Sequence, residues 1–228
     1  FKLELNTLRL LKRDIPMLKT ISGDRIRYEL ECVLKEQYPE RIFGRAYELG
    51  VLKSLHPSLK GNDWFEKKFK QARQLSLPDR PPLGLYLALM TYPLTTQETE
   101  QFIVYLRLPK SLAQTLLDTS GIKAQLALLV DPRLPPSGIY HLLHSYSPQA
   151  VTASLLASDS LVVKEHIQLF LAKLRYMRPA LNGNDLTKMG VPIGPNIKEI
   201  LNLLHNARLD EKVISKQGEE EMVREWIN

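Results

Sequence analysis

A single cysteine stands in 228 residues, so no internal disulfide can form, as expected for a reducing compartment. That residue, Cys32, lies in an apolar-periodic stretch and reads as a buried structural thiol rather than a nucleophile. No run of about 18 apolar residues occurs, which excludes a helix long enough to span a bilayer. The opening Phe1-Lys2-Leu3-Glu4 has no initiator Met and no apolar segment behind a basic one. It fits a cut inside a longer protein better than a signal peptide. The expected location is the cytoplasm, without a membrane partner.

Chemistry-bearing motifs are as scarce. There is no GxxxxGK[ST] or GxGxxG loop and no HExxH. A two-metal polymerase site needs carboxylates on a strand, spaced by two so that both face the ions. No two aspartates have that spacing, and Glu29/Glu31 and Glu98/Glu100 fall on expected helices, where i and i+2 diverge. We therefore assign no catalytic residue, no metal ligand and no cofactor to these residues. His141 and His144 share a face at i, i+3 but lack a neighbouring Cys or carboxylate cluster. They read as half-exposed histidines flanking Leu142 and Leu143. Glu219-Glu220-Glu221 reads as a solvated helix face. Trp64 and Trp226 read as core or interface anchors.

What the chain does have is helical periodicity. Val163, Ile167, Phe170, Leu174 and Met177 recur in steps of four and three, as do Ile26, Leu30, Val33 and Leu34, and Ile197, Ile200, Leu201 and Leu204. Phe102 to Leu106 is the one strand-like run. It follows Thr95-x-x-Glu98, a capping-box pattern, and is assigned to a helix. Pro39, Pro109, Pro148 and Pro195 suit first helical turns, with Ser147 as the N-cap before Pro148. Gly50, Gly121 and Gly190 suit helix ends or turns. The fold class is all-α, an elongated array of about a dozen short helices with prolines at the joints.

Charge divides the chain. Residues 1–80 carry 17 Lys/Arg against 11 Asp/Glu, residues 81–160 carry 4 against 5, and residues 161–228 carry 10 against 9. The net +6 therefore resides in the first third, which favours a polyanionic partner. Leu77 to Pro82 and Arg178 to Pro195 are the candidate joints. They give a basic domain over 1–80, a charge-poor body over 81–178 and a tail over 179–228. Within the first, Asn62 can cap a helix whose apolar face begins at Trp64 and Phe65. Lys67, Lys68, Lys70 and Arg73, with Lys60 beside them, are candidate phosphate contacts or an ordinary charged surface. Gly194-Pro195 opens another helix, with Lys198 one turn in. The start is either a backbone-phosphate contact or a tight helix–helix joint.

The segment Ile21-Ser22-Gly23-Asp24-Arg25-Ile26-Arg27-Tyr28-Glu29-Leu30 resembles the Ser-x-Glu-Arg-Ile-x-x-Glu-Leu element of class II tRNA nucleotidyltransferases and bacterial poly(A) polymerases. Here Ser22 caps the helix, Asp24 replaces the family's Glu beside the positive helix end, and Arg25 and Glu29 stand at i, i+4. Tyr47 to Leu52 and His56 to Leu59 are similar to that element's continuation. Leu181-Asn182-Gly183-Asn184-Asp185-Leu186 with Gly190-Val191-Pro192-Ile193-Gly194-Pro195 resembles a second element of the long-tailed members. Asp185 would brace the turn after Gly183. The resemblance implies neck, body and tail domains that hold a tRNA or another RNA 3′ region and support a catalytic head. Mg²⁺ and ATP or CTP would belong to that head alone. A helical protein-interaction or homodimerisation domain is the alternative.

Overall fold

The computed structural model describes residues 4–59 and 61–227, so Phe1, Lys2, Leu3, Lys60 and Asn228 lie outside the described residues. Fourteen α-helices and no strand occur among the described residues. In order they are α1 (Leu5–Asp14), α2 (Gly23–Leu34), α3 (Pro39–Glu48), α4 (Val51–Leu55), α5 (Asp63–Ser76), α6 (Leu83–Thr91) and α7 (Thr96–Tyr105). There follow α8 (Lys110–Leu129), α9 (Pro136–Leu143), α10 (Pro148–Ala157), α11 (Leu161–Ala172), α12 (Gly183–Lys188), α13 (Pro195–Leu209) and α14 (Lys216–Ile227). Two 3₁₀ turns, Ile15–Thr20 and Leu174–Tyr176, complete the chain. None of the described helices is long and apolar enough to cross a membrane.

Local chemistry explains most boundaries. Thr95 Oγ accepts from Glu98 N at 3.2 Å, and the Glu98 carboxylate accepts from Thr95 N at 2.7 Å, the reciprocal capping box that makes 102–105 helical. Pro39, Pro148 and Pro195 occupy first-turn positions, whereas Pro109 precedes α8, which starts at Lys110. Gly190, at φ +98°, ends α12 in a Schellman arrangement. Its N–H donates to Thr187 O at 3.1 Å, and Val191 N–H reaches back to Leu186 O at 3.0 Å. Three further sequence expectations fail here. Gly121 lies within α8, where a Cβ would meet the Tyr146 ring at 3.0 Å, so close packing rather than a turn calls for glycine. Ser147 holds the N-cap position of α10, but its hydroxyl makes no cap and is buried without a partner. Its N–H instead donates to buried Asp118 at 2.8 Å. Cys32 is exposed because Ile26, Leu30 and Leu34 take the inward face of α2.

Two compact units result. The first comprises Phe1–Gln125 with Tyr146–Asp159, the second Leu126–Ser145 with Ser160–Asn228. The joints read at 77–82 and 178–195 fall inside these units, since charge composition and packing divide the chain differently. At the centre of the first unit is α6, with every residue from Gly84 to Thr91 buried. Apolar on all sides, it is enclosed by α2, α5 and α10. Beside it Phe43, Phe65, Phe69 and Tyr86 pack as an aromatic cluster with centroids 4.1–5.9 Å apart.

The second unit buries Val163, Ile167 and Phe170 of α11, with Leu174 after the helix has broken at Lys173. A further cluster joins Leu181, Leu186, Val191, Leu204 and Val223. Glu219 contradicts its reading as solvated, for it is fully buried. Its carboxylate accepts from Ala180 N and Leu181 N at 2.8–3.0 Å and from Arg208 Nη1 at 2.6 Å. Glu219 lies four residues before Val223, on the inward face of α14, while Glu221 is exposed.

Candidate nucleic-acid interface

Helix α5 begins at Asn62, whose side chain accepts from Phe65 N at 3.4 Å. Its inward stripe is Phe65, Lys68, Phe69 and Ala72, at i, i+3, i+4 and i+7. The four candidate cations therefore separate by register. Lys67 and Lys70 are exposed and make no ion pair with described residues. Lys68 is only 4% exposed. Its ammonium donates to Leu156 O at 2.5 Å, stands 3.9 Å from Asp159 Oδ1 and lies 5.7 Å from the Trp64 ring. Trp64 in turn stacks on Tyr92, with centroids 6.2 Å apart, in the packing role expected of it.

Arg73 is likewise engaged. Its Nη1 bonds both oxygens of buried Glu40, at 2.7 and 2.8 Å, and the guanidinium lies 4.8 Å from the Tyr38 ring centre. Arg41 lies 4.7 Å from the same ring. Burial draws the Arg73 pKa down, but the hydrogen bonds and charge of Glu40 outweigh it and leave the group above its ordinary value. Lys68 and Arg73 thus hold the unit together, and α5 leaves Lys67 and Lys70 at its surface.

The N-terminal motif forms a knot. Ser22 caps α2 by accepting from Arg25 N at 3.4 Å, and Arg25 pairs with Glu29 at 3.2 Å across one exposed turn. Gly23 abuts the end of α7 so closely that a Cβ would stand 1.7 Å from Tyr105 O. Asp24 accepts from Arg107 Nη1 at 2.8 Å, and Arg27 donates to the carbonyls of Leu106 and Arg107. Beyond the helix-end role read for Asp24, its carboxylate therefore binds α2 to a residue 83 positions away.

In the second motif Asn182 is the N-cap of α12, accepting from Asn184 N and Asp185 N. Asp185 accepts from Asn182 N at 3.1 Å, completing a capping box. A Cβ on Gly183 would meet Ile197 Cγ2 at 3.3 Å, so α12 and α13 are closely joined there. At the start of α13, after Gly194-Pro195, Lys198 is exposed and makes no ion pair with described residues. The Ile197 N–H donates to Gly194 O at 3.2 Å, which leaves less of that helix end for the backbone-phosphate contact considered above. His141 and His144 share a face of α9, both exposed, with ring centroids 5.8 Å apart. No group of three or more His, Cys, Asp or Glu among the described residues could hold a metal ion.

A strandless array of short helices, pinned by one motif knot in each unit, matches a known architecture. The chain superposes on the Thermotoga maritima CCA-adding enzyme solved with a tRNA, at a TM-score of 0.76 and 21% identity, over 100% of this chain and 58% of that one. A CCA-adding enzyme solved with CTP gives 0.74 and 21%, over 100% and 56%. Residues 1–62 match the family described as "Probable RNA and SrmB- binding site of polymerase A". The A-adding tRNA nucleotidyltransferase of Geobacter sulfurreducens is 25% identical over 246 aligned positions, which cover 96% of this chain and 27% of that protein. The chain thus spans about a quarter of that curated relative. The likeness to the solved structures is one of fold over the whole chain, and the family match covers its first 62 residues.

Proposed function

We propose that the chain is an RNA-binding and scaffolding module of a protein that adds nucleotides to RNA 3′ ends, and that it grips a tRNA by its phosphates. The observation that carries this reading is where the unneutralised charge sits. Arg9, Lys12, Lys19, Lys35 and Lys53 are exposed and make no ion pair with described residues, and all lie within the stretch matching the RNA-binding family. Lys67 and Lys70 extend the surface onto α5, and Lys198 is among the exposed cations of the second unit. Counterion release from phosphates makes such a surface effective without reading bases. The proposal places Mg²⁺- and ATP- or CTP-dependent chemistry outside these residues, in a catalytic head. The setting proposed is the cytoplasm.

The test is tRNA affinity of the full chain against salt, with Lys67→Glu/Lys70→Glu compared with the parent. The double variant should bind less tightly and lower the log–log salt slope by about 1.5, at roughly 0.7–0.9 per lost phosphate contact. The melting temperature should not change. The same affinity and slope in both proteins would remove α5 from the interface.

A second reading, docking of another protein, is favoured by an apolar groove of about 320 Å³. Leu18, Ile21, Ile26, Val33, Ile42 and Leu55 are among its lining residues. It falls within the matched stretch, and that family is described as binding SrmB as well as RNA.

A further inference from the structure

Three histidines and a tyrosine meet in the second unit, on surface that neither family motif reaches. The Tyr140 ring stacks on His144 with centroids 4.8 Å apart and planes 11° from parallel, and it meets His205 edge-on at 4.7 Å. His141 stands 5.7 Å from Tyr140 and 5.8 Å from His144. Each imidazole has one nitrogen fixed by an oxygen acceptor. His141 Nε2 is 2.7 Å from Asn206 Oδ1, His144 Nδ1 is 3.2 Å from the carbonyls of Tyr140 and His141, and His205 Nε2 is 3.0 Å from Met177 O. A carbonyl only accepts, so the bonded nitrogen must carry the proton. The other nitrogen is then a bare lone pair in the neutral ring and an N–H donor in the protonated one.

The surroundings select the ligand. Helix α13 contributes His205 and Asn206. Its C-cap Asp210 is committed to the Ser137 N–H and hydroxyl at 2.8 and 3.0 Å. Helix α11 contributes the Phe170 ring against Tyr140, and Glu211 is paired with Lys173. The segment after α11 brings Arg175, lying over the Tyr176 ring, and Arg178, whose Nη1 bonds the carbonyls of Arg175 and Met177. Burial chiefly holds the His205 pKa below its ordinary value, against the Met177 hydrogen bond, and Arg178, His141 and His144 push it the same way. No carboxylate enters that balance. Protonating two exposed imidazoles this close is unfavourable unless an anion lies between them.

We infer that His141 and His144 form a proton-dependent phosphodiester contact for RNA, with Tyr140, His205 and Asn206 setting the ring positions. It rests on the RNA-binding reading and adds to it a second, pH-sensitive site. In the neutral rings the two open nitrogens offer a phosphate only lone pairs and do not hold it. A ring that takes up a proton offers that nitrogen as a donor instead, and bound phosphate stabilises the protonated form.

The experiment measures tRNA affinity of the full chain at pH 7.5 and 6.0 at fixed ionic strength, beside His141→Gln/His144→Gln. The parent should gain roughly fivefold or more on acidification, since each linked proton supplies up to tenfold per pH unit. The variant should match the parent at pH 7.5 and lose most of the gain. His56, His166 and His205 remain in both proteins as internal controls. As a check that needs no variant, NMR titration of the histidine ring protons should show two pKa values rising when tRNA is added. Equal gains in both proteins, or ring pKa values that ignore tRNA, overturn the site while leaving the basic α5 surface intact. Ring pKa values that respond to inorganic phosphate and not to tRNA also overturn it. Absence of tRNA binding at either pH overturns both readings.

Discussion

The Lys68 ammonium occupies a position on α5 where a core side chain would sit, between Phe65 and Ala72. Its bond to Leu156 O, its contact with Trp64 and the nearby Asp159 carboxylate compensate in part for the water it gives up. Lys67, one residue earlier, projects into solvent and owes the fold nothing. A glutamate at 68 would be a buried anion facing a carbonyl oxygen, with Asp159 3.9 Å from the present ammonium. We expect Lys68→Glu to cost about 3–5 kcal/mol, in the range of an uncompensated buried charge, and Lys67→Glu to stay within about 0.5 kcal/mol. Urea denaturation of the two variants separates them. Comparable midpoints would mean that Lys68 is held no more firmly than its neighbour. The register was legible in the sequence, since 65, 68, 69 and 72 recur with helical period. A run of lysines draws attention to composition, and composition does not show which way each one points.

At the scale of elements, the helix starts were the most readable feature, because capping is local. Thr95 with Glu98 and Ser22 before α2 each need at most three residues of context. What α2 packs against was not readable. The Asp24–Arg107 bond and the contact of Gly23 with Tyr105 O join residues more than 80 apart, and no periodicity encodes such a pairing. The structure therefore gives the motif glycine a reason that capping alone did not. Gly23→Ala should destabilise the chain by about 1–3 kcal/mol, because a methyl group 1.7 Å from a carbonyl oxygen forces the two helices apart. Asp24→Asn should cost at most about 1 kcal/mol, since its pair with Arg107 is largely exposed. If thermal melts place the two substitutions in the opposite order, the charge and not the close approach fixes α2.

For the molecule as a whole, charge and packing give different maps. Net charge singles out residues 1–80, whereas the cores close over 1–125 with 146–159 and over 126–145 with 160–228. All-helical character was legible throughout because the 3.6 period runs the length of the chain. The grouping of helices into cores was not, since residues 146–159 return to the first unit after a passage through the second. Glu219 shows what the second unit depends on. One carboxylate accepts two backbone N–H groups of the segment leading into α12 and the guanidinium of Arg208 on α13, so it ties two parts of that unit to α14. Glu219→Ala would leave the Ala180 and Leu181 N–H groups and the Arg208 charge without their acceptor, at a cost of about 3–5 kcal/mol. Because the first unit has its own core around α6, the loss should be confined. Hydrogen exchange should accelerate at Ala180, Leu181 and along α12 to α14, while the amides of α6 keep the protection of the parent protein. Equal acceleration along α6 would show that the two units unfold as one cooperative body, and the carboxylate would then be a support of the entire chain.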